Sequence, residues 1–265
     1  MKASTRLHGK RISVIGMGKS GQGAARLAHA LGARVFISDP ASSEPLKSTL
    51  KHLHRMGIKG ELGHHGDRVF TADLMVISPG VPKDAAVVQE ARSRNIPVIG
   101  EIEFAFQQAA YPVVAVTGSN GKTTTVYILE AMCRTNTIHG KLGGNMGIPF
   151  SDLVREDLTD PDPKRLYILE ISSFQMEFIQ TFAPRIGVFL NLTPDHLDRY
   201  VSVADYFQAK LDMVKYCTEK DTVVFNRDDP KLHSYFHESR FHLEPFTMTP
   251  SEETRFELIR DSVYT

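Results

Sequence analysis

The segment Val116-Thr117-Gly118-Ser119-Asn120-Gly121-Lys122-Thr123-Thr124 limits the fold of this chain more than any other stretch. It follows the strand-like run Val113 to Val116 and leads into a helical pattern. Glycines let such a loop wrap so that several amides point at one phosphate, and the helix N-terminus adds a favourable dipole. Lys122 can reach the β- and γ-phosphates of a nucleotide, and the Thr123 hydroxyl can ligate magnesium. The spacing departs from the usual phosphate loop, because the first glycine would fall at Val116 and the nearest is Gly118. An accidental Gly-Lys-Thr in a strand-to-helix turn is the plain alternative, and the strand before and the helix after argue against it.

The rest of the chain fits a parallel sheet around that loop. Strands are expected at Arg11 to Ile15, Arg34 to Ser38, Leu74 to Ile77 and Pro97 to Ile99. Helices are expected near Gly21 to Leu31, Leu46 to Met56 and Asp84 to Arg94, with a glycine- and histidine-rich stretch before the third strand. A connecting helix over Glu101 to Ala110 ends at Tyr111-Pro112. A second series then runs through Val113 to Val116, Leu166 to Leu169, Ile186 to Leu190, a helix near Val203 to Tyr216, and Thr222 to Phe225. Strand–helix alternation of this kind predicts an α/β protein with parallel sheets and helices on both faces. With 265 residues and about 150 residues per domain, two domains are expected: 1–110, Rossmann-like, and 111–265, resembling a phosphate-loop ATPase.

A second glycine turn, Gly16-Met17-Gly18-Lys19-Ser20-Gly21, follows the first strand and opens a helix, and Asp39 ends the second strand. Alone, this is the dinucleotide fingerprint with its ribose-binding acid. It is equally a turn required for helix–strand packing, or a cradle for the diphosphate of another nucleotide.

Three clusters follow the phosphate loop. Glu170 ends a strand and precedes Ile171-Ser172-Ser173-Phe174-Gln175; Asn191 to Tyr200 follows another strand; Lys210 sits on the next helix. Strand C-terminal ends face the ligand crevice of a parallel sheet, where an acid can bind magnesium or activate water. The bland readings are a cap for Glu170, a turn acid for Asp195 and a solvated charge for Lys210.

Composition narrows the partners. Lys plus Arg and Asp plus Glu are both 31, so the basic excess typical of proteins that live on nucleic acid or anionic membrane is missing. At 42% hydrophobic residues the chain can build sizeable cores. No apolar run approaches the roughly 18 residues of a spanning helix. The two cysteines, Cys133 and Cys217, fit a reducing compartment and are expected in helices as small buried hydrophobes. His52, His54, His64 and His65 lack ordered ligand spacing and are expected as loop or surface residues.

Taken in order, Thr117 to Thr124, Gly143-Gly144-Asn145-Met146-Gly147-Ile148-Pro149, Leu169 to Gln175, Asn191 to Tyr200 and Ala209-Lys210 resemble the Mur ligases, ATP-dependent ligases of bacterial peptidoglycan synthesis. Ile77-Ser78-Pro79-Gly80-Val81-Pro82 and Gly100-Glu101-Ile102-Glu103 are most similar to the branch that adds D-glutamate. The resemblance implies that the first domain holds the UDP of a sugar nucleotide and uses no NAD. Ser20, Asp39, Ser78 and Gly80 would contact the nucleotide, and Asn145, Ser172, Gln175 and His196 the muramoyl end. Gly118, Ser119, Asn120, Gly121, Lys122, Thr123, Thr124 and Asn226 would bind ATP. Thr123, Glu170, His196 and a carbamylated Lys210 would hold two magnesium ions, with Lys122, Glu170, His196 and Lys210 as the catalytic set. The implied partners are UDP-N-acetylmuramoyl-L-alanine, D-glutamate and ATP, for a monomer in the bacterial cytoplasm. An L-alanine-adding member of the family and a dinucleotide-binding oxidoreductase module are the competing readings.

The resemblance runs to about Asp229, and the tail from His233 to Thr265 offers only weak strand patterns. Ligases of this family continue into a third domain that binds the incoming amino acid. The expectation is therefore an N-terminal fragment with an incomplete central domain, an exposed sheet edge, and binding of substrate without full ligation.

Overall fold

The computed structural model describes residues 7–195, 199–237, 239, 241–248, 256–259 and 262–264. In chain order the elements are β1 (Arg11–Ile15), α1 (Lys19–Ala30), β2 (Arg34–Asp39), α2 (Glu44–Arg55), β3 (Lys59–Leu62), β4 (Leu74–Ile77), α3 (Ala86–Ser93), β5 (Val98–Gly100) and α4 (Glu101–Phe106). There follow β6 (Val113–Thr117), α5 (Lys122–Met132), β7 (His139–Gly144), α6 (Phe150–Asp157), β8 (Arg165–Glu170), β9 (Ile186–Phe189), α7 (Val203–Leu211), β10 (Thr222–Asn226), α8 (Pro230–Phe236), β11 (His242–Thr247), β12 (Phe256–Ile259) and β13 (Ser262–Tyr264). Two compact units result.

The first unit comprises the chain up to Ala110 together with Gly147–Asp162 and Glu177–Thr181. Its sheet is parallel throughout, in the order β3-β2-β1-β4-β5. β1 is buried from Ile12 to Ile15, as expected of a central parallel strand covered on both faces. Small residues on α1, namely Gly21, Gly23, Ala24, Ala25 and Ala28, are buried and let the helix approach closely. β3 lies in the glycine- and histidine-rich stretch, where the sequence gives no strand signal. It is a half-buried edge strand, Lys-Gly-Glu-Leu, too short and polar to show a strand period.

Two later segments complete this unit. On α6, Phe150, Leu153 and Val154 are buried, and Asp152 forms a bidentate ion pair with Arg26 at 2.9 and 2.5 Å. The Ser151 amide donates to the buried Glu101 carboxylate at 2.7 Å. Glu103 accepts from the amides of Gln180 and Thr181 at 2.9 and 3.0 Å.

The second unit has the strand order β13-β12-β11-β10-β9-β6-β8-β7, with only β12–β13 antiparallel. β6 is buried at every position and pairs with β8 on one side and β9 on the other. The chain therefore reverses its direction of growth at β6, which opens a crevice beyond the carboxyl ends of these strands. The helix expected to Tyr216 ends at Leu211 and tightens into a 3-10 turn over Asp212–Val214. Cys217 is accordingly not helical; it is buried after that turn, with its thiol on the Pro184 carbonyl at 3.5 Å. Cys133 caps the end of α5 and is half-buried. Beyond β10 the tail supplies β11, which pairs in parallel from Thr222↔His242 to Asn226↔Phe246. No described helix is long and apolar enough to cross a membrane.

Candidate active site

The loop between β6 and α5 turns on two glycines. Gly118 has φ +154° and Gly121 φ +84°, and a Cβ at Gly118 would lie 3.0 Å from the Leu190 Cβ. The loop is laced to the segment after β9. Ser119 donates its hydroxyl to the Thr193 carbonyl at 2.7 Å, and the Asn120 amide donates to Asn191 Oδ1 at 2.9 Å. Asn191 returns a bond to the Asn120 carbonyl at 3.1 Å. Thr124 is exposed in the first turn of α5.

Two ammonium groups converge on one carbonyl. Lys122 Nζ donates to Gly118 O at 2.8 Å and Ser119 O at 3.0 Å, while Lys210 Nζ reaches Gly118 O from α7 at 3.0 Å. Lys210 is only 2% exposed, so the sequence-based alternative of a solvated helix charge does not hold. Tyr206, one turn earlier on the same face, is buried with its ring centroid 4.8 Å from the Lys210 ammonium, and the Gly118 carbonyl is brought to it from the distant β6–α5 loop. Burial, then the Lys122 charge, pushes the Lys210 amine down to about 7, against the pull of Asp195 and Glu170. Burial also lowers the Lys122 amine, opposed by the same two acids.

Glu170, at the end of β8, is 2% exposed. Its Oε2 accepts from Thr123 Oγ1 at 2.7 Å and its Oε1 from Asn145 Nδ2 at 2.8 Å. The Asn145 amide also donates to the Glu170 carbonyl at 2.8 Å. Gly144 makes this approach possible, since a Cβ there would meet the Glu170 carbonyl oxygen at 2.3 Å. Five sequence-selected residues, Gly118, Lys122, Thr123, Glu170 and Lys210, thus share one small region, with Asn145 joined to it through Glu170. A hydroxyl and a carboxylate oxygen side by side are hard oxygen donors of the kind magnesium takes. Next to them stand two lysine amines, a loop turned on two glycines and a helix N-terminus. This donor set fits a triphosphate and its magnesium.

The remaining candidates sit around it. The buried Gln175 turns its Oε1 back to the Ser172 amide and hydroxyl, at 2.9 and 3.1 Å. Asn226 donates to the Leu190 carbonyl at 3.2 Å. His196 lies outside the described residues. Two residues that shape the site were not selected from sequence. Tyr206 lies 3.3 Å from the Ser119 hydroxyl, and Asp229 accepts from the Leu192 amide at 2.7 Å while capping α8. Asp before Pro is a legible cap signal, but its second bond across the sheet is not.

The turn after β1 belongs to the first unit and is built differently. Gly16 has φ +91°, and its carbonyl accepts from the Ser78 hydroxyl at 3.1 Å. A Cβ on Gly21 would lie 1.9 Å from that carbonyl oxygen. Asp39 accepts from the Met17 amide at 2.7 Å with Oδ2 and from the Ala41 amide at 2.9 Å with Oδ1. Ser20 is half-buried at the start of α1, and Gly80 is exposed with open space where a Cβ would stand. Among the described residues, no group of three or more His, Cys, Asp or Glu is placed to hold a metal ion.

The Mur ligase middle-domain family model matches residues 116–260, which includes β11 and β12, and the Mur ligase MurD-like N-terminal domain model matches residues 10–100. This chain belongs to the Mur ligase family. It is 43% identical over 227 residues to a protein named UDP-N-acetylmuramoylalanine--D-glutamate ligase of Koribacter versatilis, covering 84% of this chain and 49% of that one. A protein of the same name in Trichlorobacter lovleyi is 38% identical over 242 residues, covering 91% and 53%. The chain thus spans about half the length of these relatives. Among solved structures, the UDP-N-acetylmuramate:L-alanyl-gamma-D-glutamyl-meso-diaminopimelate ligase of Neisseria meningitides superposes with a TM-score of 0.65 at 20% identity, over 97% of this chain and 84% of that one. The UDP-N-acetylmuramate-alanine ligase MurC of Thermotoga maritima gives 0.53 at 20% identity, over 94% and 54%. At this identity the likeness is one of fold, and the fold is that of a Mur ligase.

Proposed function

We propose that this Mur ligase chain carries the sugar-nucleotide-binding and ATP-activating half of the D-glutamate-adding reaction. The carboxylate of UDP-N-acetylmuramoyl-L-alanine would attack the γ-phosphorus of ATP; ADP leaves and an acyl phosphate forms. The amine of D-glutamate would then attack the acyl carbon, inorganic phosphate leaves, and the amine proton passes to solvent. The identity to relatives named for this ligation supports D-glutamate as the amino acid.

The observation that carries the reading is the convergence of Lys122 and Lys210 on the Gly118 carbonyl beside the Thr123–Glu170 pair. Attack by a carboxylate on a triphosphate brings two anions together, and the fixed positive charge of Lys122 lowers that barrier. Lys122 and the loop amides would hold the β- and γ-phosphates. Thr123 and Glu170 would hold one magnesium ion, with Asn145 fixing the second carboxylate oxygen of Glu170. Magnesium, when bound, neutralises phosphate charge. His196 would help hold a second ion. Lys210, an amine near neutrality in proton affinity, is suited to capture CO2 as a carbamate, which would turn a cation into an anionic ligand. Ser20, Asp39, Ser78 and Gly80 would serve the UDP end, and Ser172 and Gln175 the muramoyl end. The reading places the chain in the bacterial cytoplasm as a monomer.

The test is calorimetric titration of the chain with UDP-N-acetylmuramoyl-L-alanine, Mg-ATP and NADH in separate runs, followed by trapping of acyl phosphate with hydroxylamine. Micromolar binding of the sugar nucleotide, binding of ATP, and a hydroxamate that requires both are the expected outcome. Binding of NADH in place of the sugar nucleotide would overturn it.

A further inference from the structure

At the end of β2, the buried Ser38 hydroxyl has three close polar neighbours: Glu61 Oε1 at 3.0 Å, the His64 carbonyl at 3.2 Å and His65 Nδ1 at 2.7 Å. A hydroxyl carries one proton, and both Glu61 and the carbonyl can only accept it. The shortest contact is a hydrogen bond with either tautomer of His65, but only a proton on Nδ1 leaves the Ser38 proton free for Glu61. Were Nδ1 the acceptor, Ser38 would face Glu61 with an unprotonated oxygen at 3.0 Å. The arrangement that makes hydrogen bonds of the two shorter contacts has His65 donating to Ser38, Ser38 donating to Glu61, and His65 Nε2 as an acceptor.

This relay sits on the nucleotide end of the first unit. Ser38 immediately precedes Asp39, and the register places Ser38 opposite Glu61 and Asp39 opposite Leu62. The Gly63 amide donates to the Asp39 carbonyl at 3.0 Å, and the Gly66 amide donates to Glu61 Oε1 at 2.8 Å. The loop that carries His65 is thereby stapled to the strand end that presents Asp39 to Met17. The ionisable groups around the imidazole are Glu61, Asp39 and His64; its burial, the largest influence, favours the neutral ring.

We propose that His65 is a positioning residue for nucleotide binding. Through its Nδ1 proton it locks Ser38 and the end of β2, and so holds the Asp39 turn in place for the nucleoside. This rests on the reading that the first unit binds UDP.

The test compares His65→Ala, His65→Asn and His65→Gln by titration with UDP, with Mg-ATP as the control on the second unit. The wild-type imidazole nitrogens are followed by NMR at neutral pH. An Asn amide can replace the Nδ1 donor, whereas a Gln amide reaches only the Nε2 position. The expected results are a proton on His65 Nδ1, UDP affinity about tenfold weaker in His65→Ala and His65→Gln, and recovery to within about threefold in His65→Asn, with ATP affinity unchanged throughout. UDP affinity unaltered in His65→Ala, no recovery in His65→Asn, or a proton on Nε2 overturns the proposal. Wild-type protein that binds no UDP overturns the nucleotide reading itself, and the positioning role with it.

Discussion

The chain holds two strand–glycine–helix turns, and they are alike in backbone and unlike in what surrounds them. After β1, Gly16 and Gly21 are fitted against Ser78 and against each other, and Asp39 closes on the Met17 amide. After β6, two lysines from different helices meet at one carbonyl next to a paired hydroxyl and carboxylate. Glycine spacing alone reports that a turn is tight. The chemistry depends on side chains that later elements deliver to it.

The strongest way to break this comparison is to remove the charge that distinguishes the second turn. Lys122→Ala is expected to lower acyl phosphate formation by roughly a hundred- to a thousandfold and to leave UDP binding intact, as read by hydroxylamine trapping and calorimetry. Equal loss of UDP affinity would mean that the two turns do not act separately. Within the first turn, Gly21→Ala forces a Cβ to 1.9 Å from a backbone oxygen, and overpacking of this kind is expected to cost about 1–3 kcal/mol or more in urea unfolding.

A third experiment asks whether a buried acid is by itself a sign of a site. Glu101, 1% exposed in the first unit, is pushed up from its ordinary 4.5 to about 7 by burial, against the Ser151 hydrogen bonds. The folded state therefore holds the proton more tightly than the unfolded chain. Its contribution is most favourable below about 4.5 and is lost as pH rises from there through 7, by up to about 3 kcal/mol. Glu101→Gln is expected to flatten that slope in unfolding curves at pH 5, 6 and 7.5, with no change in nucleotide affinity. The smallest effect is expected at Gly18, where a Cβ meets nothing within 4 Å. Gly18→Ala is expected to stay within about 1 kcal/mol of wild type, and a loss as large as that of Gly21→Ala would remove the distinction between fitted and free glycines.

Much of the frame was legible because parallel strands announce themselves. β1 and β4 fall where their apolar runs begin and end, since both are buried on each face. β3 was not legible, being a polar edge of four residues. Nor was α6, whose buried residues Phe150, Leu153 and Val154 are interleaved with Asp152, Arg155 and Asp157, charges that read as solvated until Arg26 pairs with Asp152. The tail strands were weak in sequence because β11 is only half-buried along most of its length.

For the site, local chemistry marked Gly118, Lys122, Thr123 and Glu170 in advance, because a phosphate loop and a strand-end acid are short-range patterns. Long-range placement decided the rest. Residue type alone implied two α/β units of mainly parallel strands, each with a glycine turn feeding a helix, since burial on both faces and left-handed backbone are written in it. Only the tertiary structure decided that Lys210 is buried rather than solvated, that Asn145 orients Glu170, and that His65 is bound to Ser38. Each of these depends on the environment that distant segments create around a polar group, and burial, unlike period, is a property of the whole fold.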